Sequence, residues 1–147
     1  MKIALVCSSG GHLTEMLLLM EAFEGYDPFF ITYKNSVTEQ LNYRKYLTPN
    51  IGTNMWKMIK TFYQTFKILR KEKPDLIVST GSEIAIPSCI LAKFMGIKTI
   101  YIESWCRVKT KSGTGRLVYY FSDVFLVQWP DLVRKYGKKA SYKGAVI

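Results

Sequence analysis

The chain has 147 residues, enough for one domain with a real core. A formal net charge of +10, with 48% hydrophobic and 14% aromatic residues, describes a globular protein with an anionic partner: a membrane surface, a nucleic acid or a phosphorylated substrate. No apolar run reaches the ~18–20 residues of a transmembrane helix, the first strand is too short for a signal peptide, and Cys7, Cys89 and Cys106 are scattered and odd in number, which argues for a reducing, cytoplasmic setting.

Ile3-Ala4-Leu5-Val6-Cys7 reads as a strand. It runs into Ser8-Ser9-Gly10-Gly11-His12, and then Leu13, Met16, Leu17, Met20 and Phe23 recur at spacings of three and four, so a helix follows. Two glycines between strand and helix allow a tight turn and close approach of a ligand. The free N–H groups and positive dipole end of the new helix favour phosphate. His12, the only histidine, sits at this mouth.

Pro28 to Tyr33 reads as a second strand, and Ser36 as a cap for a short helix through Tyr43. Tyr43 to Gly52 reads as irregular. Asn54 to Lys71 is predicted helical. Its stripe of Met55, Ile59, Phe62, Phe66 and Leu69 is expected inward, with Trp56 and Tyr63 outward and Lys57, Lys60 and Lys67 flanking. Such a wide, lysine-flanked apolar arc suits a helix lying in a lipid headgroup layer. Residues 51–73 alone carry six Lys/Arg against one Asp/Glu.

Asp75 to Thr80 is a predicted buried strand, closed by Gly81-Ser82. A helix is expected over Glu83 to Met95, with Gly96 as its stop. Lys98 to Glu103 is the next strand. It emerges into Ser104-Trp105-Cys106-Arg107 and a basic loop to Gly115, in which Gly113-x-Gly115 reads as loop only. A short helix over Arg116–Phe121, a strand over Val124–Gln128, a helix over Pro130–Tyr136 and a last strand within Ala140–Ile147 complete the chain. The alternation predicts an α/β fold: a Rossmann-like parallel sheet with helices on both faces, one domain over 1–147. Ligands in such sheets sit outside the carboxyl ends of the strands. Three loops therefore belong to one crevice: Ser8–His12, Thr80–Glu83 and Glu103–Arg107.

Several chemistries are absent. There is no Gly-x4-Gly-Lys-Ser/Thr phosphate loop and no Gly-x-Ser-x-Gly elbow. Cys7 opens a Cys-x5 stretch that ends at Leu13, where a cysteine phosphatase needs a cation. With one histidine and no Cys/His cluster, no metal site and no cofactor are expected.

Ser9-Gly10-Gly11-His12 after the first strand resembles the Gly-Gly-His start of MurG-type glycosyltransferases of the GT-B fold. Ser79-Thr80-Gly81-Ser82, with Pro87-Ser88 and Ala92 to Ile97, is similar to their second glycine loop and helix, and Ile102-Glu103-Ser104-Trp105 falls where they have a strand-end acid. Nearly end to end, the pattern resembles the single-domain polysaccharide-biosynthesis family called PssD in bacteria and Alg-fourteen in eukaryotes. The resemblance implies the N-terminal half of a GT-B enzyme. It implies an acceptor-binding subunit that works with a small donor-binding glycosyltransferase subunit to move a sugar from a UDP-sugar to a polyprenyl-diphosphate-linked saccharide.

On that reading His12 is the candidate base, with Glu103 as rival base or partner, or paired with Arg107 or Lys109 in a structural role. Ser9, Gly10, Gly11, Gly81, Ser82, Glu83 and Arg107 are the candidate acceptor and phosphate contacts. Trp56, Lys57, Lys60, Tyr63 and Lys67 are the candidate contacts to an anionic membrane. Eukaryotic members usually carry an N-terminal membrane helix. This chain begins at the first strand, so surface residues are expected to hold it peripherally at the inner face of the membrane. Two other classes remain open from the residues alone: a self-sufficient small nucleotide-binding enzyme, and a basic nucleic-acid-binding protein. No motif that reads nucleic acid supports the latter, and no nucleic-acid partner is expected.

Overall fold

The computed structural model describes residues 1–146; the last residue of the predicted final strand, Ile147, lies outside the described residues. The elements in chain order are β1 (Lys2–Val6), α1 (Gly11–Leu18), a 3-10 turn (Met20–Phe23), β2 (Asp27–Tyr33), α2 (Ser36–Glu39), β3 (Lys45–Thr48), α3 (Met55–Glu72), β4 (Leu76–Ser79), α4 (Ala85–Met95), β5 (Lys98–Ile102), α5 (Gly113–Val118), β6 (Val124–Val127), α6 (Pro130–Tyr136) and β7 (Ala140–Tyr142). All seven strands are parallel, in the order β3-β2-β1-β4-β5-β6-β7.

Register assigns the faces. Ala4 lies opposite Phe29 and Ile77, and Leu5 opposite Phe30 and Val78. Ala4, Phe29 and Ile77 join Leu69, Ile84 and Ala92 under α3 and α4. The same face continues through Tyr101, Phe125, Val118 and Leu132 under α4, α5 and α6. Leu5, Phe30 and Val78 point the other way, to Leu13 and Met16 of α1 and to the 3-10 turn. Helices thus cover both faces, as the alternating pattern predicts.

The chain leaves β1 towards β2 on one side, and leaves β4 towards β5 on the other. The carboxyl ends of β1 and β4 therefore flank the point where the winding reverses, the place where open α/β sheets bind ligands.

Four local readings differ from the sequence-based expectation. The stretch read as irregular holds an edge strand, β3, which pairs with β2 through Phe30–Tyr33. Asn35, not Ser36, caps α2 in a capping box with Thr38, and the helix ends at Glu39. α5 starts at Gly113, capped by Ser112, so Gly113-x-Gly115 is its first turn and not a loop.

The fourth concerns α3. Asn54 caps it as its side-chain oxygen accepts from the N–H groups of Trp56 and Lys57. The inward residues are Thr61, Thr65, Leu69 and Glu72, at spacings of four and three. Met55, Ile59 and Phe66, expected inward, are exposed alongside Trp56 and Tyr63, with Trp56 80% accessible. Tertiary packing chose the slim threonine face for the interior and left the large apolar face outside. Among the described residues, no helix is long and apolar enough to cross a membrane.

Candidate functional site

At the switch point the two glycine loops are latched together. Thr80 donates its hydroxyl to the His12 carbonyl at 2.7 Å, and His12 Nδ1 lies 2.8 Å from the Thr80 carbonyl. A carbonyl oxygen only accepts, so Nδ1 carries the proton. In the neutral ring the lone pair then belongs to Nε2. Position and tautomer are thereby set by one backbone group. Gly81 backs this arrangement. Its φ is +120°, and a Cβ there would stand 2.8 Å from His12 Cε1. Next to it Ser82 takes φ +75°, a left-handed conformation rare outside glycine and costly enough to suggest use.

Gly10, φ +81°, is the N-cap residue of α1, which has no side chain capping its first N–H groups and no acid in its first turn. Those groups remain available to an anion.

The third loop is fastened by two buried carboxylates. Glu15, on the inner side of α1, accepts from Ser104 Oγ at 3.1 Å, the Trp105 N–H at 3.1 Å and Gln128 Nε2 at 2.9 Å. Gln128 also donates to the Glu103 carbonyl at 3.0 Å and accepts from the Val146 N–H at 2.8 Å. Glu103 is fully buried. Its Oε1 accepts from the Ser104 N–H at 3.0 Å; its Oε2 accepts from the Ser112 N–H at 3.2 Å, from Ser112 Oγ at 2.9 Å and from the Tyr136 hydroxyl. Burial, and then the hydrogen bond to Glu103 and its charge, push the Tyr136 phenol well up, so it stays a donor.

Glu103 is therefore tied to Ser112 and Tyr136, not to Arg107 or Lys109. Four donors occupy the carboxylate, and its geometry is that of an anchor for the loop.

Together these loops enclose a cleft of about 640 Å³. Gly11, His12, Ser82, Glu83, Glu103 and Arg107 of the expected site line it; Ser9, Gly10 and Gly81 do not, and shape it from behind. Ser8 stands where Ser9 was expected. The Glu83 carboxylate accepts from Ser82 Oγ at 2.6 Å. An acceptor-only carboxylate suits a sugar hydroxyl better than a phosphate. The Arg107 side chain is exposed and forms no ion pair among the described residues.

Sequence reasoning missed Ser112, Thr114 and Glu15. The first two had a signal, a hydroxyl–glycine run before a helix, which was set aside. Glu15 had a fainter one: an acid on the apolar side of the first helix, three residues after His12. Trp56, Lys57, Lys60, Tyr63 and Lys67 line α3 and not this cleft.

Burial pushes the Cys7 and Cys89 thiols up to about 12, so neither is a nucleophile. Among the described residues no three His, Cys, Asp or Glu side chains gather as a metal centre requires.

The fold is shared with known proteins. The fold matches that of MurG from Acinetobacter baumannii with a TM-score of 0.81 at 15% identity, covering 99% of this chain and 45% of that one. It matches the UDP-GlcNAc 2-epimerase of Methanocaldococcus jannaschii at 0.77 and 20%, over 99% and 46%. The chain thus spans just under half the length of these structures.

In sequence it is 28% identical to human UDP-N-acetylglucosamine transferase subunit ALG14, over 100% of this chain and 83% of the relative. The Schizosaccharomyces pombe subunit of the same name is 40% identical over 64% of this chain and 46% of its own length. Residues 45–146 match the family described as oligosaccharide biosynthesis protein Alg14 like. On that match, the chain belongs to the Alg14-like family of oligosaccharide biosynthesis proteins.

Proposed function

We propose that this chain is the acceptor-side half of a two-chain glycosyltransferase. A separate donor-binding subunit holds a UDP-sugar, UDP-N-acetylglucosamine on the model of the curated relatives, and the acceptor is a saccharide on a polyprenyl diphosphate. The observation that carries the reading is one Rossmann domain whose open cleft sits at the switch point and which spans 45% of a MurG chain.

His12 Nε2 takes the proton of the attacking hydroxyl as its oxygen bonds to the anomeric carbon and the UDP oxygen leaves. The histidine then returns that proton to solvent. A base whose proton affinity suits working pH serves such a step. The uncapped start of α1 and the Arg107 guanidinium face the acceptor diphosphate. Glu83 receives sugar hydroxyls, and Glu103 with Glu15 holds the third loop in place. The partner's own dipoles stabilise the departing diphosphate.

In the test, labelled UDP-N-acetylglucosamine and a short polyprenyl-diphosphate saccharide are supplied to the chain alone and with its donor-binding partner. Transfer is expected only with the partner. Robust transfer by the chain alone would replace this reading with that of a self-sufficient enzyme.

A lipid-linked acceptor is met at a membrane, and α3 is the element that meets it. Its outward face carries Met55, Trp56, Ile59, Tyr63 and Phe66, flanked by Lys57, Lys60 and Lys67. The Lys67 ammonium lies 4.7 Å from the Tyr63 ring centre, so the cations border the apolar strip. Each basic residue near an anionic surface contributes about 1 kcal/mol. Lys57→Ala/Lys60→Ala/Lys67→Ala is expected to lower binding to anionic liposomes by roughly 100-fold, since each 1.4 kcal/mol is about tenfold. Co-sedimentation checks this; parental binding by the triple variant and by Trp56→Ser would move the contact elsewhere.

A further inference from the structure

A second hollow, of about 560 Å³, opens between α5, α6 and the loop after β5. Lys109, Lys111, Arg116 and Lys135 converge on it with three tyrosines, and no carboxylate lines it. Among the described residues, none of the four cations lies within 4.0 Å of an acid. Two of them are held by contacts within the hollow. The Lys135 ammonium donates to the Lys109 carbonyl, and the Lys111 ammonium sits 5.2 Å from the Tyr136 ring centre. Four cations lining one concavity that no carboxylate lines raise a positive potential there, which favours an incoming anion.

The rim adds a second requirement. Tyr120, which lines the hollow, is 73% exposed. Cations with an exposed aromatic ring beside them fit an anion that carries hydrocarbon. The hollow is also distinct from the cleft. Tyr136 lines the hollow and Ser112 the cleft, and Glu103 accepts hydrogen bonds from both, forming the wall between them.

We propose that this hollow is a second anion site, which binds the phosphate ester of a lipid. Two sources share that chemistry: a glycerophospholipid of the bilayer, and a polyprenyl diphosphate. The inference does not depend on the chemistry assigned to His12.

The test uses the full chain and three kinds of vesicle: phosphatidylcholine alone, phosphatidylcholine with phosphatidylglycerol, and phosphatidylcholine doped with a polyprenyl diphosphate. Lys109→Ala/Lys111→Ala/Lys135→Ala is compared with wild type and with a charge-matched control, Lys34→Ala/Lys98→Ala/Lys143→Ala. The hollow variant is expected to lose about 100-fold in affinity for at least one anionic vesicle, and the control under tenfold. Loss on phosphatidylglycerol assigns the bilayer lipid; loss confined to the doped vesicles assigns the polyprenyl diphosphate. Tyr120→Ser, which keeps the charge, is expected to lose about tenfold on the same vesicles. Inorganic diphosphate is expected to compete with wild type and not with the hollow variant. Equal losses in the hollow variant and the control, or no loss in either, would overturn the proposal.

Discussion

The His12→Ala variant is expected to transfer sugar about 10²–10⁴-fold more slowly than wild type in the assembled two-chain enzyme, the range for removal of a positioned general base. The geometry gives three reasons. Nδ1 is committed to the Thr80 carbonyl at 2.8 Å, so Nε2 is the free acceptor. The ring lines the cleft at the reversal of the sheet. Glu103, a second carboxylate of the cleft, is occupied by four donors.

Gly81→Ala should reproduce much of this loss without touching the imidazole. Its Cβ would lie 2.8 Å from His12 Cε1 on a backbone at φ +120°, so ring and loop must both shift. Single-turnover rates separate chemistry from binding. A His12→Ala rate within threefold of wild type would remove His12 from the reaction, and Glu83→Gln would be measured next.

Gly115→Ala is expected to destabilise the fold by about 3 kcal/mol. A Cβ at this buried position would stand 2.3 Å from the Tyr136 hydroxyl, 2.4 Å from Glu103 Oε2 and 2.7 Å from Ser112 Oγ, inside the knot of hydrogen bonds itself. Overpacking costs roughly 1–3 kcal/mol. A buried polar group pulled from its partner costs about 1–3 kcal/mol more. At roughly 2–4 °C per kcal/mol for a chain of this size, Tm should fall by about 6–12 °C. Gly113 is the control, two residues earlier in the same helix, because a Cβ there meets nothing within 4 Å. Gly113→Ala should leave Tm unchanged or raise it by a degree or two. Thermal unfolding by circular dichroism distinguishes them, and equal Tm values for both variants would mean the knot contributes no stability.

What the sequence made legible was what is encoded locally. Strand–Gly-Gly–helix at Ser8–His12, the buried run at Asp75–Thr80 and proline at the start of α6 each announce their element through short-range patterns. The order of alternation was then enough to bring three loops to one rim. What stayed hidden depends on contacts distant in sequence. β3 is a strand because β2 offers it an edge; by itself Lys45–Thr48 has too few residues to show a period.

The α3 face was misassigned for a related reason. An apolar stripe says that some face is wanted out of water, not that the partner is the chain's own sheet. Glu103 illustrates the same limit within the site. A strand-end acid reads as a candidate base, and only the positions of Ser112 and Tyr136 reveal that it is occupied. Glu15, 89 residues from Ser104, had no local context that pointed to its partner.

In the proposed acceptor role, the reciprocal pair between His12 and Thr80 bears on how acceptors are told apart. Two loops joined in both directions, 68 residues apart in sequence, behave as one solid surface rather than as two flaps. Such a surface has little freedom to lose when the acceptor settles, so most of the contact energy goes into alignment. It also has little capacity to mould itself to an ill-fitting sugar. Discrimination on this side would then be by rejection at first contact, as a gauge rejects an oversized part, and any closing motion would fall to the proposed partner chain.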